Sequence, residues 1–135
     1  MAALETLPDV SPTRILVVDD SQSMRRSLRQ LLEGHPHWTV CAEAADGRDG
    51  VQKAVQMSPD VIVLDFQMPE MNGLEAARAI TRRSPRLPIL MVSVHMSSQL
   101  ADEARNAGVR GVCVKSDVFC VVEAVETLLN HGTYF

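Results

Sequence analysis

The chain has 135 residues, enough for one domain with its own core, and 46% of them are hydrophobic, as is usual for a globular protein. The formal net charge of −4 argues against nucleic-acid binding by this segment. No apolar run is long enough to cross a membrane, and the N-terminus lacks the basic start and apolar block of a secretory signal. We therefore expect a cytoplasmic domain with no membrane or nucleic-acid partner of its own.

The first half of the chain predicts two strand–helix units. Residues 14–18 form an apolar run that predicts a buried strand, preceded by residues 1–13, which we expect to be a flexible tail. Ser21 is placed to cap the first helix, whose apolar residues recur at helical spacing. Residues 38–44 alternate apolar and polar side chains, which is typical of a half-exposed strand at a sheet edge. A second helix follows, to about Met57.

Three further strand–helix units complete the pattern. Residues 61–65 are a continuous apolar run that ends in a carboxylate, and residues 89–94 and 111–114 predict the fourth and fifth strands. Each strand is followed by a helix with one apolar face. We expect a single domain over residues 14–130, and a C-terminal tail or the start of a linker over residues 131–135.

Strict alternation of strands and helices predicts a (βα)5 fold, with a parallel sheet between two layers of helices. The second and fifth strands look the least buried, and edges at those strands favour the order 2-1-3-4-5. In that order the carboxyl ends of the first and third strands are neighbours. Asp19 and Asp20, which follow the first strand, are therefore predicted to converge on Asp65, which ends the third.

Three carboxylates so close together repel one another, by roughly 3 kcal/mol for each pair about 5 Å apart. Such a cluster either retains protons or binds a divalent cation. Oxygen ligands without His or Cys favour Mg²⁺, with Mn²⁺ as the alternative. Ser93 ends the fourth strand and Lys115 follows the fifth. A metal, a hydroxyl and an ammonium around one carboxylate are what phosphoryl transfer to that carboxylate requires, whereas unrelated surface acids would not converge.

These features resemble the receiver domain of bacterial two-component response regulators, over about residues 14–130. The resemblance implies a flavodoxin-like fold, a histidine kinase as phosphoryl donor, and a receiver that catalyses its own phosphorylation and slow dephosphorylation. It implies that Asp65 is the phosphoacceptor and that Asp20, Asp65 and the Gln67 backbone carbonyl bind Mg²⁺, with Asp19 helping through water. The matching pieces, in chain order, are Asp19-Asp20, Asp65, Met68-Pro69, Gly73, Ser93 and Lys115.

The sequence is most similar to receivers that precede a LuxR-type helix-turn-helix domain. The motifs that carry this similarity are Met-Pro-Glu-Met-Asn-Gly-Leu-Glu at 68–75, Ala107-Gly108 with Gly111, and Val-Lys-Ser-Asp at 114–117. The similarity implies control of transcription through an attached DNA-binding domain, with homodimerisation on phosphorylation. A stand-alone or degenerate receiver that acts as a protein-interaction module is the alternative.

Several positions depart from the family pattern or remain open. Many receivers carry Tyr or Phe three residues before the lysine, where this chain has Val112. Our hypothesis is that the switch relies instead on movement of Ser93 and the loop after it. Ser116 replaces the proline that often follows the lysine.

Two loop residues remain open in their role. Gln67 and His95 each lie two residues past a site residue, and they either set the lifetime of the phosphate or are ordinary solvent-facing loop residues.

Two other classes of protein with related architecture fit less well. A flavodoxin-like cofactor binder needs a phosphate-binding loop after the first strand, where Asp19 and Asp20 would repel a phosphate. A haloacid-dehalogenase-like phosphatase has its nucleophile after the first strand and a second Asp two residues on. Here those two acids are adjacent, and the single Asp follows the third strand.

Two groups of residues carry no assigned chemistry. Three arginines of the first helix form either a kinase-docking face or, as we favour, a solvated face: Arg25, Arg26 and Arg29. The cysteines have no metal-ligand spacing, and an odd, scattered set predicts buried and reduced thiols: Cys41, Cys113 and Cys120.

Overall fold

A computed structural model describes residues 11–135, in which five parallel strands form one sheet in the order β2-β1-β3-β4-β5. The strands are β1 (Thr13–Val18), β2 (Trp38–Ala44), β3 (Val61–Asp65), β4 (Ile89–Ser93) and β5 (Gly111–Val114). The helices are α1 (Gln22–Glu33), α2 (Gly47–Met57), α3 (Gly73–Arg83), α4 (Ser98–Asn106) and α5 (Val118–Leu129). The predicted α/β fold and strand order are confirmed.

Small differences from the predicted boundaries have local causes. β1 begins at Thr13, one residue early, because the Thr13 N–H donates to the His37 carbonyl at 2.7 Å. β4 ends at Ser93, and the next residue, Val94, is exposed. The rest of the predicted N-terminal tail, residues 1–10, lies outside the described residues. Over residues 11–135, every helix is too short or too polar to span a bilayer.

The core lies on both faces of the sheet, because successive strand residues point to opposite sides. Leu16, Ile62 and Met91 face α2, α3 and α4, whereas Ile15 and Val63 belong to a second cluster with residues of α1 and α5. The three central strands are therefore buried on both faces, as their apolar runs predicted. This rigid centre fixes the residues at the strand ends.

The cysteine prediction is wrong for one pair. Cys113 of β5 and Cys120 of α5 form a disulfide, with their Cα atoms 6.2 Å apart. Their pairing depends on how the β5–α5 loop turns back into the helix, which the spacing of the two residues does not reveal. Cys41 is half-buried and free.

The C-terminal residues form more than a tail. The Val112 N–H donates to the Tyr134 carbonyl at 2.9 Å, and the Tyr134 N–H donates to the Arg110 carbonyl at 2.9 Å. The Tyr134 hydroxyl donates to Glu123 Oε1 at 3.1 Å. The segment that was predicted to be a tail or a linker start therefore docks along the outer edge of β5.

Tyr134 is the only tyrosine of the chain, so its ionisation can be followed by ultraviolet absorbance. Burial raises the pKa of its phenol, and the hydrogen bond to Glu123 and the charges of Glu123 and Asp117 raise it further. The neutral Tyr134 phenol therefore stabilises docking of the C-terminal residues. This stabilisation is complete below the pKa of an unfolded tyrosine, about 10, and is lost as the pH rises through the higher pKa of the docked residue. We expect Glu123→Gln to lower the pKa of Tyr134 and Glu126→Gln, on the same helix, to leave it unchanged. Equal values in both variants would contradict the observed contact.

Candidate active site

Three acidic side chains meet at the carboxyl ends of β1 and β3. Asp19 and Asp65 are buried, with exposed fractions of 0% and 1%, and Asp20 is exposed. One carboxylate oxygen from each of the three lies within 4.8 Å of the others. The strand order causes this convergence, because β1 and β3 are hydrogen-bonded neighbours and end at the same side of the sheet.

Lys115 contacts both buried acids and partly offsets their charge. Its Nζ lies 3.0 Å from Asp19 Oδ2 and 3.0 Å from Asp65 Oδ1. Its main chain is held as well, because the Lys115 N–H donates to the Ser93 carbonyl at 2.8 Å. Burial alone would lower the pKa of Lys115, but the contacts with Asp19 and Asp65 outweigh burial and raise it. Lys115 is therefore an ammonium that joins the ends of β1, β3 and β5.

Asp65 is a carboxylate whose ionisation is opposed by its surroundings. Burial raises the pKa of Asp65 to about 6, against the opposing effect of Lys115, and the charge of Asp19 adds to the increase. The Gln67 N–H donates to Asp65 Oδ1 at 3.2 Å and favours the anion. Asp65 is thus mainly anionic at neutral pH.

The donor set fits a hard divalent cation. Asp65 Oδ2 is buried and has no hydrogen-bond partner among residues 11–135. Asp19 Oδ2 contacts Lys115 Nζ, but the geometry does not make a hydrogen bond. A buried carboxylate oxygen without a partner calls for a cation or a proton. Oxygen donors alone match Mg²⁺ chemistry, and Asp20 lines an open cleft of ≈ 440 Å³ through which an ion could enter.

Main-chain contacts hold Asp19 in place. The Ser21 N–H donates to Asp19 Oδ1 at 2.9 Å, and Ser21 also caps α1 as predicted. The Asp19 N–H donates to the Ala44 carbonyl of β2 at 3.0 Å. Arg25 of α1 donates to the Asp19 carbonyl at 2.7 Å. The turn after β1 is therefore fixed by both α1 and β2.

Two of the three arginines on α1 are paired within the domain. Arg25 and Arg29 form ion pairs with Glu43 of β2, at 3.1 and 2.8 Å. The Arg25 side chain is only 16% exposed and departs from the predicted solvated face, whereas Arg29, at 39%, and Arg26 remain exposed as predicted. The signal that could have revealed the pairs is Glu43, an acid on the polar side of the alternating edge strand.

A close backbone contact shapes the loop between β3 and α3. The Gly73 N–H donates to the Phe66 carbonyl at 2.8 Å. A Cβ atom at Gly73 would lie 2.5 Å from the Asp65 carbonyl oxygen. Asn72 caps α3 and forms a capping box with Glu75, which the sequence analysis did not identify. Gly73 therefore lets the helix begin directly behind Asp65.

The remaining predicted site residues lie around this centre. Ser93 is buried at the end of β4, which pairs with both β3 and β5. Gln67 and His95 are exposed, in the loops after β3 and β4. Val112 is buried in the core cluster that β5 shares with α3 and α4.

Comparison with known proteins identifies the family. The model of the response regulator receiver domain matches residues 15–125, and the chain belongs to this family. The transcriptional regulatory protein DegU of Brevibacillus brevis is 31% identical over 122 residues, which are 90% of this chain and 52% of DegU. A protein-glutamate methylesterase/protein-glutamine glutaminase of Symbiobacterium thermophilum is 49% identical over 84 residues, which are 62% of this chain and 23% of that protein.

Solved structures agree with this assignment. A LuxR-family two-component response regulator from Aurantimonas sp. superposes with a TM-score of 0.89 and 34% identity, covering 93% of this chain and 90% of that one. The response regulator domain of Thermotoga maritima CheB superposes with a TM-score of 0.79 and 30% identity, covering 90% of this chain and 96% of that one.

This chain is shorter than its sequence relatives. Its match spans about half the length of DegU and about a quarter of the methylesterase.

We expect Gly73→Ala to destabilise the protein by about 1–3 kcal/mol, because the new methyl group would meet backbone atoms that cannot move aside. Gly34→Ala is the matched control, since Gly34 has a φ of −69° and a Cβ there would come no closer than 3.3 Å to another atom. Urea unfolding monitored by circular dichroism gives both free energies. Equal losses of unfolding free energy in the two variants would contradict the inference that the close backbone contact requires glycine at position 73.

Proposed function

We propose that this chain is the phosphoacceptor of a two-component system, and that Asp65 takes a phosphoryl group from a phosphohistidine of a sensor histidine kinase. The observation that carries the proposal is the buried cluster in which Lys115 contacts both Asp19 and Asp65 while Asp65 Oδ2 has no partner among the described residues. Membership in the receiver family supports the same reaction.

The residues present can perform an in-line transfer. A carboxylate oxygen of Asp65 attacks phosphorus and forms a P–O bond as the P–N bond of the phosphohistidine breaks. The histidine nitrogen keeps the electron pair and takes up a proton, which leaves an acyl phosphate on Asp65. Lys115 Nζ, 3.0 Å from Asp65 Oδ1, is placed to follow the negative charge onto the phosphoryl oxygens, and the Ser93 hydroxyl would donate to another of them.

The acidic cluster would hold the divalent cation that such transfer uses. Asp20, Asp65 and the backbone carbonyl of Gln67 would be ligands, with Asp19 acting through water. Bound Mg²⁺, or Mn²⁺ in its place, supplies positive charge that offsets the charge of the phosphoryl group. Asp20, the exposed member, would face the cleft from which the ion and the donor approach.

We further propose that phosphorylation controls transcription through a DNA-binding domain attached to this receiver, with homodimerisation as an intermediate step. Two relatives support this output, since DegU is named a transcriptional regulatory protein and the Aurantimonas sp. protein is named a LuxR-family two-component response regulator. The methylesterase relatives indicate that the same receiver chemistry also serves other outputs. The phosphoacceptor reaction is therefore the part of the proposal that depends on this chain alone.

Phosphorylation can be tested by intact mass after incubation with acetyl phosphate. We expect the gain of one phosphoryl group, abolished by excess chelator and by Asp65→Asn, because the transfer needs both the cation and the nucleophile. Asp46→Asn is a matched control, since Asp46 caps α2 outside the acidic cluster. Absence of any gain in protein shown to be folded would contradict the proposal and favour a degenerate interaction module.

The lifetime of the phosphate offers a second test, on the two exposed loop residues near the site. If Gln67 and His95 flank the attacking water, Gln67→Ala or His95→Ala will change the decay rate of phosphorylated Asp65 several-fold. Gln99→Ala, an exposed change on α4, is the control and should leave the rate unchanged. Decay followed by intact mass decides between this role and ordinary solvent-facing residues, for which all three rates would match the unsubstituted protein.

A further inference from the structure

The C-terminal segment His131–Phe135, called the strap below, closes the open edge of the sheet. β5 ends the strand order, so its outer backbone groups have no neighbouring strand. The strap supplies a partner, with the two main-chain hydrogen bonds that join Tyr134 to Arg110 and Val112 and a parallel bridge between Gly111 and Tyr134. The strap begins with a left-handed residue, His131, whose φ is 66°.

Side chains anchor the strap to helices on both sides of β5. The Tyr134 hydroxyl contacts Glu123 of α5, and its ring packs against the core cluster between the sheet and α1 and α5. On the other side, the Arg105 guanidinium of α4 lies over the ring of Phe135, 4.1 Å from its centre. The Gly132 N–H donates to the Thr127 carbonyl at 2.9 Å. The strap thus bridges α4 and α5 across the strand.

The sequence of β5 accommodates the strap. A Cβ atom at Gly111 would lie 3.1 Å from the Cβ and the carbonyl oxygen of Tyr134, and 3.1 Å from the end of the Leu128 side chain, tighter than ordinary contacts. A glycine at this position therefore permits close docking of the strap. A methyl group there would weaken docking while the sequence of the strap stays unchanged, and the Leu128 side chain would have to adjust as well.

A short and continuous path joins the strap to the acidic site. Val112, whose N–H binds the strap, lies on the same four-residue strand that leads into Lys115. Lys115 contacts Asp65 through its side chain and Ser93 through its main chain. A group bound to Asp65 would compete for the contact with Lys115, and any change in the position of Lys115 would reach the strand on which the strap is docked.

We propose that docking of the strap on β5 is energetically coupled to occupancy of the Asp65 site. The inference rests on the proposed phosphoacceptor function and adds the element that responds to it. The segment after α5 then senses the state of Asp65 through the backbone of β5. By thermodynamic reciprocity, the factor by which a phosphoryl analogue alters docking equals the factor by which the affinity for the analogue differs between docked and undocked protein, so a variant that releases the strap must alter that affinity.

The single tyrosine makes the strap directly observable. Protein labelled with 3-fluorotyrosine gives one fluorine resonance, from Tyr134. On titration with beryllofluoride and Mg²⁺, we expect this resonance to shift or split in step with the amide signals of Lys115 and Ser93. In Gly111→Ala and Tyr134→Ala, the affinity for beryllofluoride should change about fivefold or more, the lower end of measured allosteric couplings. Thr133→Ala, at an exposed position of the strap, should leave it unchanged.

The outcomes separate this inference from the proposed function. Beryllofluoride binding seen in the Lys115 and Ser93 amides, with an unmoved Tyr134 resonance and unchanged affinity in both variants, would overturn the coupling and leave the phosphoacceptor role intact. No binding at all in folded protein would overturn both. Tyr134→Phe, which removes only the hydrogen bond to Glu123, provides a milder variant if Gly111→Ala fails to fold, and the coupling then predicts a smaller change of the same sign.

Discussion

The contact of one ammonium with two buried carboxylates is the interaction on which the site depends. Asp19 and Asp65 would repel each other by roughly 3–4 kcal/mol at an effective dielectric near 20. Lys115 offsets that cost by lying 3.0 Å from both. The neutralisation is incomplete, since Asp65 Oδ2 has no partner among residues 11–135. A protein that only required stability would not bury such a group. The incomplete pairing leaves the site compatible with a divalent cation, and it depends on three different strands that end at the same place.

Strand order and strand ends were predictable because they follow from local patterns. Continuous apolar runs identified the central strands, the alternating run at 38–44 identified an edge, and the switch point of the resulting order placed Asp19 beside Asp65. Contacts that depend on the course of a loop or on the far side of a helix were not predictable in this way. The Cys113–Cys120 disulfide is one example. The ion pairs from α1 to Glu43 had one sequence signal, the acid on the polar side of β2, but the helix face that meets it depends on the packing of α1. Docking of the strap was not predicted either, because a segment of five residues is too short to show a periodic pattern of apolar side chains.

The relatives that match this chain are longer proteins with different names. The match to DegU covers 90% of this chain and about half of DegU, whereas the match to the methylesterase covers 62% of this chain and about a quarter of that protein. Proteins with different names therefore match parts of this one chain. The surfaces of this chain away from Asp65 include the docked C-terminal segment and the exposed side chains of Val94 and Phe119.

Val112 limits how a change at the site can travel. Its side chain is 9% exposed and belongs to the core cluster shared with α3 and α4, so it has no large ring that could swing between an exposed and a buried position. Its backbone, by contrast, holds the strap on one edge, and the same strand pairs with β4 on the other. The backbone of β5 therefore links Lys115 to the strap on one edge and to β4 on the other. Under the coupling proposed above, β5 would move as a unit, together with the movement of Ser93 that the sequence analysis proposed.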